Sequence, residues 1–253
     1  MSDRIVSCVN GRFGRITLHA EPLNILGAED IRALTRVLRD LDRCAVILLD
    51  AHGTRAFSAG IDVADHVPDR AKAMLDAFSE MAQAFLEASP VIVCAVNGPA
   101  LGGGFELVLL ADLVICSTRA YFALPEIQLA ALPPIACAVL PRLVGRQRAF
   151  DAIVTGKQVD AETALAICLV SDVVEPEALA QRALGLCERL LSYSGDALVQ
   201  CKRAINAGSI DAALRIYRDD LLPTSDAAEG INAFLEKRAP VWVHARHASE
   251  VTA

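Results

Sequence analysis

Several features are missing from this 253-residue chain, and each absence excludes something. None of its eight cysteines, at positions 8, 44, 94, 116, 137, 168, 187 and 201, forms a Cys-x-x-Cys pair, the spacing of many zinc and redox sites. Several stand inside apolar runs, as reduced core thiols do, so neither structural disulfides nor zinc is expected. No long basic run is present. The 24 Lys and Arg face 31 Asp and Glu, a net charge of −7, which argues against nucleic acid or an anionic membrane as the main partner. A polyanionic ligand would need a local basic patch. No apolar run reaches the length of a membrane span. Met1-Ser2-Asp3-Arg4 leads straight into a short strand without the apolar core of a signal peptide, so the expected location is the cytoplasm. No metal site is expected. His244 and His247 stand three apart with no further ligand nearby, and read as a solvated tail.

What is present is a chain 54% hydrophobic, enough to bury a large core as one domain or as a domain with a helical extension. Alternation over residues 5–9 and 15–18 predicts two strands joined by an Asn10-Gly11 turn. A loop follows at 21–27. Residues 28–41 have helical spacing, with Ile31, Leu34, Val37, Leu38 and Leu41 on one face. Residues 45–49 read as a buried strand, 70–88 as a helix and 91–96 as a second buried strand.

After that strand comes Asn97-Gly98-Pro99-Ala100-Leu101-Gly102-Gly103-Gly104-Phe105-Glu106, running into an apolar helical segment at 107–111. Three glycines leave the main chain bare where a helix begins, so a ligand oxygen can meet unpaired N–H donors and the positive end of the helix. Glu106 adds a carboxylate beside them. The stretch fits an oxyanion site with an attached acid or base; it also fits a glycine-rich turn with a capping glutamate. Two phosphate-loop readings fail, because no Lys-Ser or Lys-Thr follows and Leu107 stands where a dinucleotide fingerprint needs its third glycine.

The same order of strand, loop and helix occurs around residues 50–62. Equivalent loops from neighbouring parallel strands would emerge on one side, where two of them could offer N–H groups to one oxygen; a repeat kept for packing would look the same. Short strands are predicted at 113–116 and around 121–122, then a helix up to 144. From 161 onward nearly everything reads as helical, with amphipathic segments near 178–191, 197–207, 211–221 and 225–237.

Taken together, the stretches 56–62, 97–107 and 124–127 resemble the crotonase, or enoyl-CoA hydratase/isomerase, superfamily, with further likeness at 140–145, 165–174 and 229–238. The resemblance covers almost the whole chain in order. It implies an α/β fold, a spiral of ββα repeats over residues 1–195, followed by a helical trimerisation region over 196–253. It also implies assembly as a homotrimer or a dimer of trimers. The implied ligand is an acyl-CoA thioester, with no cofactor beyond the CoA that the substrate carries. The matching oxyanion positions are the backbone N–H groups of Ile61 and Gly103, and the matching catalytic carboxylates are Glu106 and Glu126, twenty residues apart. By resemblance Glu106 positions or deprotonates water and Glu126 exchanges a proton with the acyl skeleton. CoA or substrate contacts carried over in the same way are Ile25, Leu26, Ala59, Gly60, Asp62, Gly102 and Pro125, with Phe234 and Lys237 reaching a neighbouring subunit's CoA. Lys237 beside Arg238 could supply the local cation, or be a solvated helix end. Asp65 and His66 could line the pocket, but a solvated loop is the simpler expectation.

The chain departs from common hydratases after the second glutamate. Where they carry a glycine-rich segment, it has Ala130-Ala131-Leu132-Pro133-Pro134-Ile135-Ala136-Cys137-Ala138-Val139, an apolar and stiffened stretch suited to a ring. This segment, with residues 57–66 and 236–242, most resembles the cyclohexa-1,5-diene-1-carbonyl-CoA hydratases of aromatic degradation. A fatty enoyl-CoA hydratase, an enoyl-CoA isomerase and a non-catalytic acyl-CoA-binding protein remain as alternatives.

Overall fold

The computed structural model describes residues 3–243; the His244 and His247 tail lies outside the described residues. The chain opens with a hairpin, β1 (Ile5–Asn10) and β2 (Phe13–Leu18). Its register pairs Asn10 with Phe13, so the turn is Gly11-Arg12, one residue later than the sequence implied, with Gly11 taking the positive φ of +56°. The expected alternation holds in β2, where Gly14, Ile16 and Leu18 point inward. It fails in β1, an edge strand that leaves Val6 and Val9 exposed.

Helix α1 (Ala28–Asp40) buries Ile31, Leu34 and Leu38, and strand β3 (Val46–Ala51) follows. A single helical turn, Val63–His66, leads into α2 (Pro68–Glu87), which starts at a proline whose missing N–H costs nothing in a first turn. Then come β4 (Val91–Val96), β5 (Ala100–Leu101) and α3 (Gly103–Val108), so Gly102 caps the helix and Gly103 and Gly104 begin it. Strands β6 (Leu113–Ser117) and β7 (Tyr121–Ala123) precede a helical turn at Pro125–Leu129 and helix α4 (Pro134–Val144).

Gly145 breaks the helix at φ +84° and α5 (Arg146–Thr155) begins anew, an element the sequence reading lacks. Next are β8 (Val159–Asp160), α6 (Ala161–Ala166) and β9 (Asp172–Val174). Strand β9 is the exception to the nearly all-helical reading beyond 161: three half-buried residues carry too little pattern to be seen. Four helical stretches complete the described chain: α7 (Leu179–Leu191), α8 (Gly195–Ala207), α9 (Ile210–Arg215) with a wider turn at Ile216–Leu221, and α10 (Ser225–Leu235). None of the helices described is long and apolar enough to cross a membrane.

Six strands form the main sheet in the order β1-β2-β3-β4-β6-β9, antiparallel only at β1–β2. A smaller sheet holds β5, β7 and β8. Each of three long strands thus hands the chain to the second layer: β3 to a bridge between Ser58 and Ala100, β4 to β5, and β6 to β7. Each unit then closes with a helix, α2, α3 or α4. This is the crotonase-type ββα spiral that the sequence implies.

The central strands β3, β4 and β6 are buried on both faces, which is why they read as continuous apolar runs. In β3, Ile47 and Leu49 join Leu34 and Leu38 of α1 and Phe78 and Phe85 of α2 in the larger core. Val46 and Leu48 point the other way, with Val93 and Ile115, onto Leu179, Ala183 and Cys187 of α7. Of the eight cysteines, Cys44, Cys94, Cys116 and Cys187 are buried free thiols, whereas Cys8, Cys137, Cys168 and Cys201 are exposed.

The C-terminal helices are tied to this sheet by one buried cation. Lys202 of α8 donates to the Pro90 carbonyl at 2.8 Å and pairs with Asp112 at 2.8 Å. The same Asp112 oxygen accepts from the Ile92 N–H. Lys202→Met should lower stability by about 2–3 kcal/mol, below the usual loss for a fully enclosed pair because the Asp112 side chain is 25% exposed. A urea titration reads this as a lower midpoint; an unchanged midpoint would mean that the contact holds nothing together.

Candidate active site

The first half of the site is the segment from Ser58 to Asp62. On one side it pairs with Leu26, whose N–H donates to the Gly60 carbonyl and whose carbonyl accepts from the Asp62 N–H. On the other side the Ser58 carbonyl accepts from Leu101 N–H, joining the segment to β5. Successive N–H groups of an extended chain alternate in direction. The Ile61 N–H therefore points away from Leu26, toward the β5–α3 side. Neither it nor the Gly103 N–H has a hydrogen-bond acceptor among the described residues. Gly103 is the first residue of α3, where the helix supplies no partner.

The two segments press together where side chains would keep them apart. A β-carbon on Gly60 would lie 2.8 Å from the Leu101 carbonyl oxygen and 3.3 Å from the Gly103 nitrogen. One on Gly103 would lie 2.6 Å from Ile61 Cγ1 and 3.5 Å from the Ile61 nitrogen. One on Gly104 would fall 2.4 Å from the Ser58 carbonyl oxygen. Gly102 has φ +51°, and its β-carbon would meet Glu126 Oε1 at 2.7 Å. The triple glycine thus does more than bare the main chain to a ligand: the protein's own Glu126, Ile61 and Ser58 fill the spaces left.

Asn24, absent from the sequence reading, holds the first segment in place. It is fully buried, accepts from Ala20 N–H and donates to the carbonyls of His52 and Ala56. Its own carbonyl accepts from Ser58 Oγ, which in turn accepts from Gly60 N–H. An asparagine at positive φ in a loop carries the sequence signal of such a locking role.

Glu106 lies one turn into α3 and is 3% exposed. Its Oε1 accepts from the Ile135 N–H at 2.7 Å and the Ala136 N–H at 2.9 Å, both in the first turn of α4. Burial pushes its pKa up to about 7; the Ala136 and Ile135 amides work against this and the nearby Glu126 charge adds to it. The 130–139 segment, expected only as an apolar wall, therefore also supplies the two donors that orient Glu106. Glu126 sits in the Pro125–Leu129 turn. Its pKa is also raised, by burial first, with its own backbone N–H and the His66 charge acting the other way. Its Oε2 is buried and has no hydrogen-bond partner among the described residues.

Both carboxyl groups face one cavity of about 490 Å³. Ala59, Gly60 and Ile61 line one side of it, Gly102 and Gly103 another, and Pro125 a third. The rest is apolar: Met74, Leu75 and Phe78 from α2 face Ala131, Leu132 and Pro134. His66 lines it too while staying exposed to solvent, so both expectations for this loop hold of it, whereas Asp65 turns away to accept from Ala28 N–H.

Other expected contacts lie elsewhere in the chain. Asp62 caps the Val63–His66 turn by accepting from Ala64 N–H. Leu26 is buried under Ile61, and Ile25 is partly exposed, its carbonyl holding Arg4. Phe234, 82% exposed, and Lys237 lie on and just beyond α10, outside the lining of the cavity. Arg238 is no free cation, since Glu229 and Glu236 both pair with it, which leaves Lys237. The described residues contain no cluster of His, Cys, Asp or Glu that could hold a metal ion.

Comparison with known proteins agrees with this geometry. The family profile described as enoyl-CoA hydratase/isomerase matches residues 10–245. A probable enoyl-CoA hydratase of Rhizobium meliloti is 36% identical over 92% of this chain and 95% of its own. The cyclohexa-1,5-dienecarbonyl-CoA hydratase of Thauera aromatica is 32% identical over 92% and 93%. Among solved structures, that of Pseudomonas aeruginosa DspI superimposes with a TM-score of 0.88 at 31% identity, covering 95% of this chain and 97% of the other. With a matching profile over nearly its whole length and relatives of this similarity, the chain belongs to the enoyl-CoA hydratase/isomerase family.

Proposed function

We propose that this enzyme is a hydro-lyase that adds water across a double bond conjugated to a CoA thioester. The observation that carries the reading is the shared cavity: two carboxyl groups with raised pKa values and two N–H groups without acceptors converge on otherwise apolar space. As water attacks the β-carbon, electrons move onto the thioester oxygen. The Ile61 and Gly103 N–H groups stabilise that charge, and losing one such donor costs about 2.7–4 kcal/mol of barrier. Glu106, fixed through Oε1, uses its other oxygen to take the proton from water. Glu126 gives its proton to the acyl skeleton. Burial raises both carboxyl pKa values and the Glu126 charge raises that of Glu106 further, so the pair can hold one proton near neutral pH.

For the acyl group, we infer cyclohexa-1,5-diene-1-carbonyl. The apolar wall of Ala131, Leu132 and Pro134 opposite Met74 and Phe78 offers a ring no polar contact. The Thauera relative carries that substrate in its name. Water would add at the β-carbon and Glu126 would protonate the dienolate at its far end. A second reading is a fatty enoyl-CoA hydratase acting on a linear chain; the Rhizobium relative, named only a probable enoyl-CoA hydratase, is 36% identical and is consistent with it. The CoA moiety would lie along Ile25, Leu26 and the Ala59 carbonyl, since the Ala59 N–H is taken by Leu23. Phe234 and Lys237 would meet the CoA of a neighbouring subunit in a trimer or dimer of trimers; exposed Ile205 on α8, Ile210 and Leu214 on α9 and Ile231 on α10 support such burial. CoA enters as part of the substrate, and no separate cofactor is invoked.

Glu106→Gln and Glu126→Gln should each lower kcat about 10²–10⁴-fold, measured by loss of the conjugated thioester absorbance; activity untouched by both changes would leave only a binding role. With the wild type, kcat/KM for cyclohexa-1,5-diene-1-carbonyl-CoA should exceed that for crotonyl-CoA, and the reverse order would hand the substrate to the linear reading. Stability provides a separate check. Glu106 has a folded pKa of about 7 against an ordinary 4.5, so its contribution to stability is complete below the ordinary value and is lost as pH rises through 7. Glu106→Gln should therefore be the more stable protein at pH 8, by on the order of 3 kcal/mol, while differing little at pH 4. Equal denaturant midpoints at pH 8 would contradict the burial of an ionising Glu106.

A further inference from the structure

On the mechanism just proposed, one turnover leaves the two carboxyl groups in the wrong state for the next. Water has given a proton to Glu106, and Glu126 has given its own to carbon. A proton must leave the first and another must reach the second before a new substrate reacts. Glu106, between α3 and α4, is 3% exposed and meets solvent only through the cavity, and half-buried Glu126 has an Oε2 that is buried without a partner among the described residues. Among the described residues the lining of the cavity contains one further ionisable side chain, His66.

His66 ends the Val63–His66 turn between the Ile61 segment and α2. Its Nδ1 lies 3.1 Å from the Asp62 carbonyl oxygen. A carbonyl only accepts, so Nδ1 carries hydrogen and the neutral ring keeps Nε2 free as an acceptor. The two carboxylates of its own turn are engaged elsewhere, Asp62 on Ala64 N–H and Asp65 on Ala28 N–H. From α2 the cavity receives Ala71, Met74, Leu75 and Phe78, none of which titrates. From the Pro125–Leu129 turn it receives Glu126, on which the His66 charge acts. Glu106 feels the Glu126 charge. His66 is exposed to solvent, whereas Glu126 is half-buried and Glu106 buried, so its ring is the most accessible to water of the three ionisable groups on the cavity.

We propose that His66 is the proton relay that reloads Glu126 between turnovers. Nε2 takes a proton from solvent and passes it to the Glu126 carboxylate, which returns the ring to its neutral form with Nδ1–H still on Asp62. Glu106 releases its proton to water as product leaves. One proton enters and one departs, so the cycle closes with no net change. His66 acts through Glu126 and touches no reacting carbon. Its removal should therefore slow the return of the enzyme and spare the first encounter with substrate.

The test is steady-state hydration by the full chain with His66→Ala and His66→Gln, each with and without added imidazole, with thermal midpoints as a folding check. Expected is a fall in kcat of about tenfold or more in both variants, within the range that a positioned proton-transfer group supplies, with kcat/KM within about twofold of wild type. Free imidazole should restore kcat in His66→Ala, where the ring leaves a gap, and not in Glu126→Gln, where nothing remains to reload. Wild-type kcat in both variants, or a loss that imidazole leaves untouched, would overturn the relay while the hydratase reading stands. Absence of hydration by the wild type would overturn that reading and the relay with it.

Discussion

Two backbone segments are in closer contact here than any residue with a side chain would allow, and the site depends on that contact. The Ser58–Asp62 segment and the start of α3 meet across Gly60, Gly103 and Gly104, with carbonyl oxygens and an isoleucine side chain where β-carbons would stand. Because Leu26 uses the Gly60 carbonyl and the Asp62 amide, the Ile61 amide between them is left over. Because a helix cannot satisfy its first N–H groups, the Gly103 amide is left over as well. Unpaired donors in a protein interior are costly, and here two of them are kept open by backbone geometry rather than by any side chain that could rotate away.

The carboxyl groups show the opposite arrangement, in which competing effects nearly balance. Burial drives Glu106 toward its neutral form, the amides of Ile135 and Ala136 favour its anion, and the sum falls near neutral pH. A carboxylate with either influence alone would be locked in one state over the useful range. Glu126, less enclosed and touched by the His66 charge, sits differently with the same chemical group. Holding an ionisable acid in apolar surroundings lowers stability at alkaline pH, and the large two-faced sheet offsets it. The tie between Lys202, Asp112 and Pro90 belongs to that support, since it fixes the helical layer to the strands that carry the loops.

The ββα spiral explains how distant stretches of sequence come to one place. Each of β3, β4 and β6 ends at the same edge of a parallel sheet and passes to the second layer, so the loops that follow share one side. Ile61, Gly103 and Glu126 follow three successive units. The same spiral brings α2 to the cavity, and with it the Val63–His66 turn, whose exposed histidine joins the lining.

Long periodic segments and the glycine stretch were legible in the sequence, as was the likeness that names Glu106, Glu126, Ile61 and Gly103. The short elements were not: β9 and β8 are three and two residues long, and α5 starts only because Gly145 can adopt a positive φ. The contacts of Asn24 with His52 and Ala56 and the Ile135 and Ala136 amides on Glu106 were decided by tertiary structure, because each joins groups about thirty residues apart. Local pattern fixes what a segment can be, since propensity and periodicity act between near neighbours. Which N–H remains without an acceptor, and how deeply a carboxyl is buried, are settled only when separate segments pack, because burial and hydrogen bonding are properties of the assembled neighbourhood.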